Sequence, residues 1–166
     1  MIFQWLFGRK KADPSEALYG AIVAAARQPK FYAEWLVPDT LDGRFDVLVL
    51  HVFLVLDRLR GFGAEADELR QALTDRFFAQ MDSALREVGV GDLAVGKKVR
   101  KMAEAFFGRS TAYTNAMAKG ELEMSEALAR NVYAEADATH AHDLAKWSLK
   151  ARRELEKLNY DDIASG

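Results

Sequence analysis

The sequence predicts an all-α fold, and three observations lead there. Apolar residues recur at helical spacing in segment after segment, no segment alternates with period two, and the most apolar run, Phe45 to Leu56, sits in a stretch too long for a strand. A chain of 166 residues, half of them apolar, buries roughly 70% of its extended surface on folding, so one core needs no staples. The expectation is a single domain over 13–166, a bundle of about six to seven helices around a central apolar helix near 44–60, preceded by an arm over 1–12.

The elements follow in order. Asp13, Pro14 and Glu16 read as an N-cap, a first-turn proline and a capping-box acid, so a helix starts there, with Leu18, Ala21, Ile22 and Ala25 on one face. It ends before Pro29, because the residue before a proline is pushed out of the α region. A short helical piece to about Leu36 follows, with Phe31, Tyr32 and Trp35 turned inward. The turn chemistry of VPDTLDG leads into the central helix, with Asp42 as its N-cap, Asp46 in the first turn and Gly61 as the stop.

From Ala64 to Val88 a stripe runs through Leu69, Leu73, Phe77, Met81, Leu85 and Val88, closed by Gly89 and Gly91. Val99, Met102, Ala103 and Phe106 make the next stripe, closed by Gly108, and a shorter helix is expected over Ser110 to Ala118. After Lys119 and Gly120 come two more, near Ser125 to Ala136 and Thr139 to Leu158, the last with Leu144, Trp147, Ser148, Ala151, Leu155 and Leu158 sharing a face.

Composition narrows the chemistry. The chain has no cysteine, which removes thiol nucleophiles, disulfides and thiolate zinc sites. A net charge of −2 with pI near 6.0 gives no global attraction to nucleic acid, so no DNA partner is expected. Gly91 to Lys97 fits the opening of a P-loop, but Lys98 stands where a magnesium-holding hydroxyl belongs, and the segment follows a helix. Asp39, Asp42 and Asp46 lack EF-hand spacing, and the three histidines are scattered, with His51 read as a hydrogen-bonded core residue. No metal, cofactor or catalytic residue is assigned.

Two surfaces invite binding. Phe3, Trp5, Leu6 and Phe7, followed by Arg9, Lys10 and Lys11, suit a membrane interface, with packing on the protein's own core as the alternative. The order is wrong for a secretory signal, the run is too short for a span, and no Arg- and Ser-rich presequence is seen, so a bacterial cytoplasm is expected. Lys97, Lys98, Arg100 and Lys101, with Arg109 further on, form the densest basic cluster: a solvated helix face, or a patch for phosphate, acidic lipid or ribosomal RNA.

Three strings carry a resemblance: VPDT-x-x-GRFD from Val37, MD-x-x-LREVGVGD from Met81, and AFFGR from Ala105. Over roughly Phe31 to Ala118 the chain resembles the ubiquinol-cytochrome c chaperone family, assembly factors for cytochrome b of respiratory complex III. The resemblance implies a helical, non-enzymatic chaperone for newly made cytochrome b; for mitochondrial members it also implies a ribosome contact and a small partner protein. By position the family pattern falls on Asp39, Arg44, Arg86, Glu87, Asp92, Lys97 and Arg109, and with Lys98 these are the candidate client contacts. The N-terminal departure makes the chain resemble a bacterial member, peripheral at the cytoplasmic face of the inner membrane. The competing expectation is a helical module for haem or a small apolar ligand, with His51 or His140 as axial ligand.

Overall fold

The computed structural model describes residues 13–134 and 138–166, so the arm over 1–12 lies outside the described residues. The described residues form α1 (Pro14–Ala26), α2 (Lys30–Ala33), α3 (Leu41–Leu59), α4 (Ala64–Glu87), α5 (Asp92–Lys119), α6 (Glu121–Asn131), α7 (Ala141–Glu156) and α8 (Tyr160–Ala164), with no strand among them. The fold is all-α and single-domain.

Helix α3 is the central element. Val47, Leu50, Phe53 and Leu54 join a cluster with α2, α6, α7 and the second half of α5, while Val49, Val52, Val55 and Leu59 join one with α1, α4, α8 and Phe106. An apolar helix buried on most sides is thus shared between two half-cores. Its C-terminal end is tied across the fold, where Arg58 donates to the Leu155 carbonyl at 2.8 Å and the Leu158 carbonyl at 2.5 Å, at and just beyond the end of α7.

The start of α3 explains the VPDT-x-x-GRFD string. The cap is Thr40 and not Asp42: the Thr40 hydroxyl accepts from the Gly43 N–H at 3.1 Å, which leaves Asp42 in the first turn at the positive end of the dipole. Val37 is buried, and the Pro38 carbonyl presses so closely on Gly43 that a Cβ there would lie 1.8 Å from its oxygen. Asp39 pairs with Arg44 at 2.7 Å outside this turn.

Other expectations are corrected. Helix α5 is one element through Gly96 and Gly108, not two. An exposed glycine inside a helix costs only about 1 kcal/mol, less than is lost by breaking a helix packed along α4 and α6. Positions 92–97, where the P-loop-like string lies, are therefore helix. Asp13 caps α1 through the Ser15 N–H, with no reciprocal Glu16 bond. Val88 is exposed rather than a stripe residue, α6 starts earlier than expected and ends at Asn131, and α8 was not foreseen. Asn159 and Asp162 start α8 with a capping box.

The α4–α5 turn accounts for MD-x-x-LREVGVGD. Gly89 has φ +88°, which lets its N–H reach the Arg86 carbonyl and the Val90 N–H reach the Leu85 carbonyl, a Schellman ending. Arg86 then bridges Asp82, at 2.7 Å, and Asp92, pinning the two helices beyond the turn. Replacing Gly43 by alanine forces Pro38 or α3 to move, and the Gly43→Ala protein is expected to lose about 3 kcal/mol, read as a lower urea midpoint with an unchanged slope.

Candidate functional site

Hollows between the helices open on the described surface. One of about 530 Å³ between α3, α4 and α5 is edged by Asp57, Arg60, Asp67, Arg70 and Gln71, already polar and well suited to water. The second, of about 460 Å³, lies over the Asp46–Arg109 pair. The third, of about 410 Å³, is lined mostly by apolar residues and lies between α1, α3, α4 and α5.

This groove is built from residues at the edge of the second half-core. Tyr19 and Val23 come from α1, Leu41, Phe45 and Leu48 from α3, Met81 and Ala84 from α4, Val88 from its end, and Met102 from α5. Leu41 is 62% exposed and Val88 67%, so both offer apolar surface to water with nothing packed over them. Arg27, Arg44 and Glu87 form the rim, and the Arg44 guanidinium also lies 5.8 Å from the Tyr32 ring. Two flexible methionines among fixed aromatics let such a floor adjust to an irregular apolar partner.

The candidate contacts from sequence separate into three places. Arg44, held by Asp39, and Glu87 reach the groove. Arg86 and Asp92 are paired at the α4–α5 turn, and Lys97 and Lys98 are exposed on α5 beyond it. Arg109 is elsewhere, mostly buried, with Nη2 2.8 Å from Asp46 Oδ1 and its guanidinium 5.6 Å from the Phe45 ring. Phe3, Trp5, Leu6, Phe7, Arg9, Lys10 and Lys11 lie outside the described residues.

The Asp46–Arg109 contact joins the GRFD and AFFGR strings through space. Its angle misses a hydrogen bond, and Asp46 Oδ1, Arg109 Nε and the hydroxyls of Ser110 and Tyr113 have no hydrogen-bond partner among the described residues. Burial drives the Asp46 carboxyl up to about 7, against the pull of Arg109, with Asp42 adding to the rise. Burial likewise pushes the Tyr113 phenol up.

His51 is the core residue expected of it. Its Nδ1 is 2.8 Å from the Val47 carbonyl, and the ring packs against Phe31 and Trp147 at 5.1 and 4.9 Å. Burial lowers its pKa to about 4, outweighing that carbonyl, while the nearby Lys30 adds to the fall. His140 lies at the start of α7 beside Asp143, and His142 reaches Glu121 at 3.2 Å. Among the described residues no three His, Asp or Glu side chains converge as a metal site would require.

The ubiquinol-cytochrome C chaperone family matches residues 33–166, which include the groove's α3, α4 and α5 walls and the Asp46–Arg109 pair. This chain belongs to that family. Among solved structures, the crystal structure of the Cbp3 homolog from Brucella abortus is similar throughout, 39% identical with a TM-score of 0.84, covering 100% of this chain and 94% of that one. Ubiquinol-cytochrome-c reductase complex assembly factor 1 of Xenopus laevis is 22% identical over 115 residues, 69% of this chain and 58% of that protein. The chain therefore spans less than two thirds of that relative's length.

Two outcomes follow for this family member. Arg109→Met removes the charge that pulls the Asp46 pKa down, so the carboxyl is expected to stay protonated at neutral pH, and the variant to lose stability in urea titrations as pH is raised above 7. The His51 imidazole, followed by NMR, is expected to stay neutral until pH falls to about 4. Because its native pKa is depressed below 6.5, its contribution to stability is complete above 6.5 and is lost as pH falls toward 4.

Proposed function

We propose that this chain is a non-enzymatic chaperone for assembly of the ubiquinol-cytochrome c reductase, and that it holds newly made cytochrome b by laying an apolar segment in the α1–α3–α4–α5 groove. The observation that carries the reading is the groove itself. A family defined by assembly of a membrane complex has, in this member, an open groove lined mostly by apolar residues, with Leu41 and Val88 exposed and Met81, Met102 and Phe45 half-buried. Such a channel suits helix-in-groove recognition, in which the client's apolar face supplies affinity and no reacting group is needed.

The rim charges assign roles. Arg44, oriented by Asp39, and Glu87 both line the groove and can read polar residues flanking the client segment. Arg86 and Asp92 hold the α4–α5 turn on which the groove's Val88 stands, and Arg109 supports Phe45 from behind. Lys97 and Lys98 add positive charge outside the mouth. The arm residues Phe3, Trp5, Leu6 and Phe7, with Arg9, Lys10 and Lys11, would keep the chaperone peripheral at the inner membrane where cytochrome b is inserted. No helix among the described residues is long and apolar enough to cross a membrane. The enclosed His51 ring favours a protein client over haem ligation.

The test combines a gene deletion with groove variants. Loss of the gene is expected to lower complex III while sparing other respiratory complexes, with recovery by the wild-type gene. Leu41→Asp combined with Val88→Asp, both at exposed positions that leave the fold intact, is expected to restore neither complex III nor co-purification of cytochrome b. Unchanged complex III in the deletion strain would overturn the proposal.

A further inference from the structure

The end of the α4–α5 hairpin carries a surface that the groove does not use. Leu93, in the first turn of α5, has 101% of its reference area open to solvent and packs on nothing. On a helix with 3.6 residues per turn, Leu93, Lys97 and Arg100 follow one another along one face, with Lys101 beside them. The stretch 97–101 contains four cations and no acid, in a chain whose net charge is −2.

These cations are not neutralised locally. Lys97, Lys98 and Lys101 are exposed and form no ion pair among the described residues, while Arg100 exchanges only with Glu104, one turn on at 3.2 Å. Of the acids at this end, Asp82 and Asp92 are held by Arg86, and Glu87 stands exposed beside Val88 on the groove side of the turn. The hairpin end thus combines a projecting leucine, the exposed Val88 across the turn, and free ammonium groups.

We propose that this end docks on a bilayer containing anionic lipid, with Leu93 and Val88 at the acyl boundary and Lys97, Lys98 and Lys101 at the headgroup phosphates. Charge complementarity and the apolar tip together select that partner. A projecting leucine gains only where it meets an apolar phase, which the headgroup boundary offers and a nucleic-acid backbone does not. No aromatic is interleaved with the cations to stack on bases. Val88 also lines the groove, so docking sets the groove mouth against the bilayer, a geometry that deepens the assembly reading, since a client segment could pass between lipid and groove without crossing water.

Flotation of the purified full chain with phosphatidylcholine vesicles, with and without phosphatidylglycerol, tests the surface. Binding is expected only with phosphatidylglycerol, and to weaken as salt is raised. Each lysine near such a surface is worth about fivefold in partitioning, so Lys97→Gln, Lys98→Gln and Lys101→Gln together are expected to lower it by about 100-fold. Leu93→Ser, which disturbs no packing, is expected to lower it by about tenfold. Wild-type binding that both variants retain in full would overturn the proposal and assign the contact to residues 1–12. No binding to phosphatidylglycerol vesicles, or loss of binding to them in competition with RNA at equal ionic strength, would overturn it too. Vesicle binding uses no client, so its failure and a failed complex III phenotype are separate results.

Discussion

Burial of α3 on nearly every side is the constraint from which the rest of this structure follows. A helix packed between two half-cores has few places to set polar groups, so its ends must be satisfied by local caps and by side chains brought in from far along the chain. At the start, Thr40 caps the first turn, the Pro38 carbonyl closes on Gly43, and Arg109 comes from α5 to meet Asp46. At the finish, Arg58 reaches carbonyls at and just beyond the end of α7. These contacts set where α5 and α7 lie relative to α3, and through α5 they set the walls of the groove.

The same constraint separates the residues that define the family strings from those that offer binding surface. Gly43, Asp46, Arg86, Gly89, Asp92 and Arg109 are engaged in turns, caps and ion pairs, each with a steric or electrostatic reason visible within the chain. Leu41, Val88 and Leu93 are common residue types whose distinction is that nothing covers them. A string of unusual residues can thus mark how a surface is held in place, while the surface itself carries ordinary side chains.

Inside α3 two ionisable groups respond to burial in opposite directions. The Asp46 carboxyl is driven upward and the His51 imidazole downward, because a poorly solvating interior disfavours the charged form of each. For Asp46 the native pKa lies above its ordinary value, so its contribution is complete below about 3.8 and is lost as pH rises through about 7. For His51 the loss comes on acidification. Between those limits the two slopes oppose each other, which flattens the pH dependence that either would give alone.

The helical class, the central apolar helix, the core role of His51 and the family resemblance were all legible in the sequence, because 3.6-residue periodicity and local cap chemistry act over a turn or two of chain. Local rules also misled at Gly96 and Gly108, where α5 continues because an exposed glycine costs less than breaking a helix packed along α4 and α6. They placed the cap at Asp42 where the approach of Pro38 to Gly43 favours Thr40. Tertiary structure alone decided that Asp46 meets Arg109 and that core-edge residues of four helices line one groove. It also decided that Leu93 stands uncovered beside free lysines. Each depends on how helices cross, and crossing is settled by burial of whole faces between segments far apart in sequence, which no local spacing encodes.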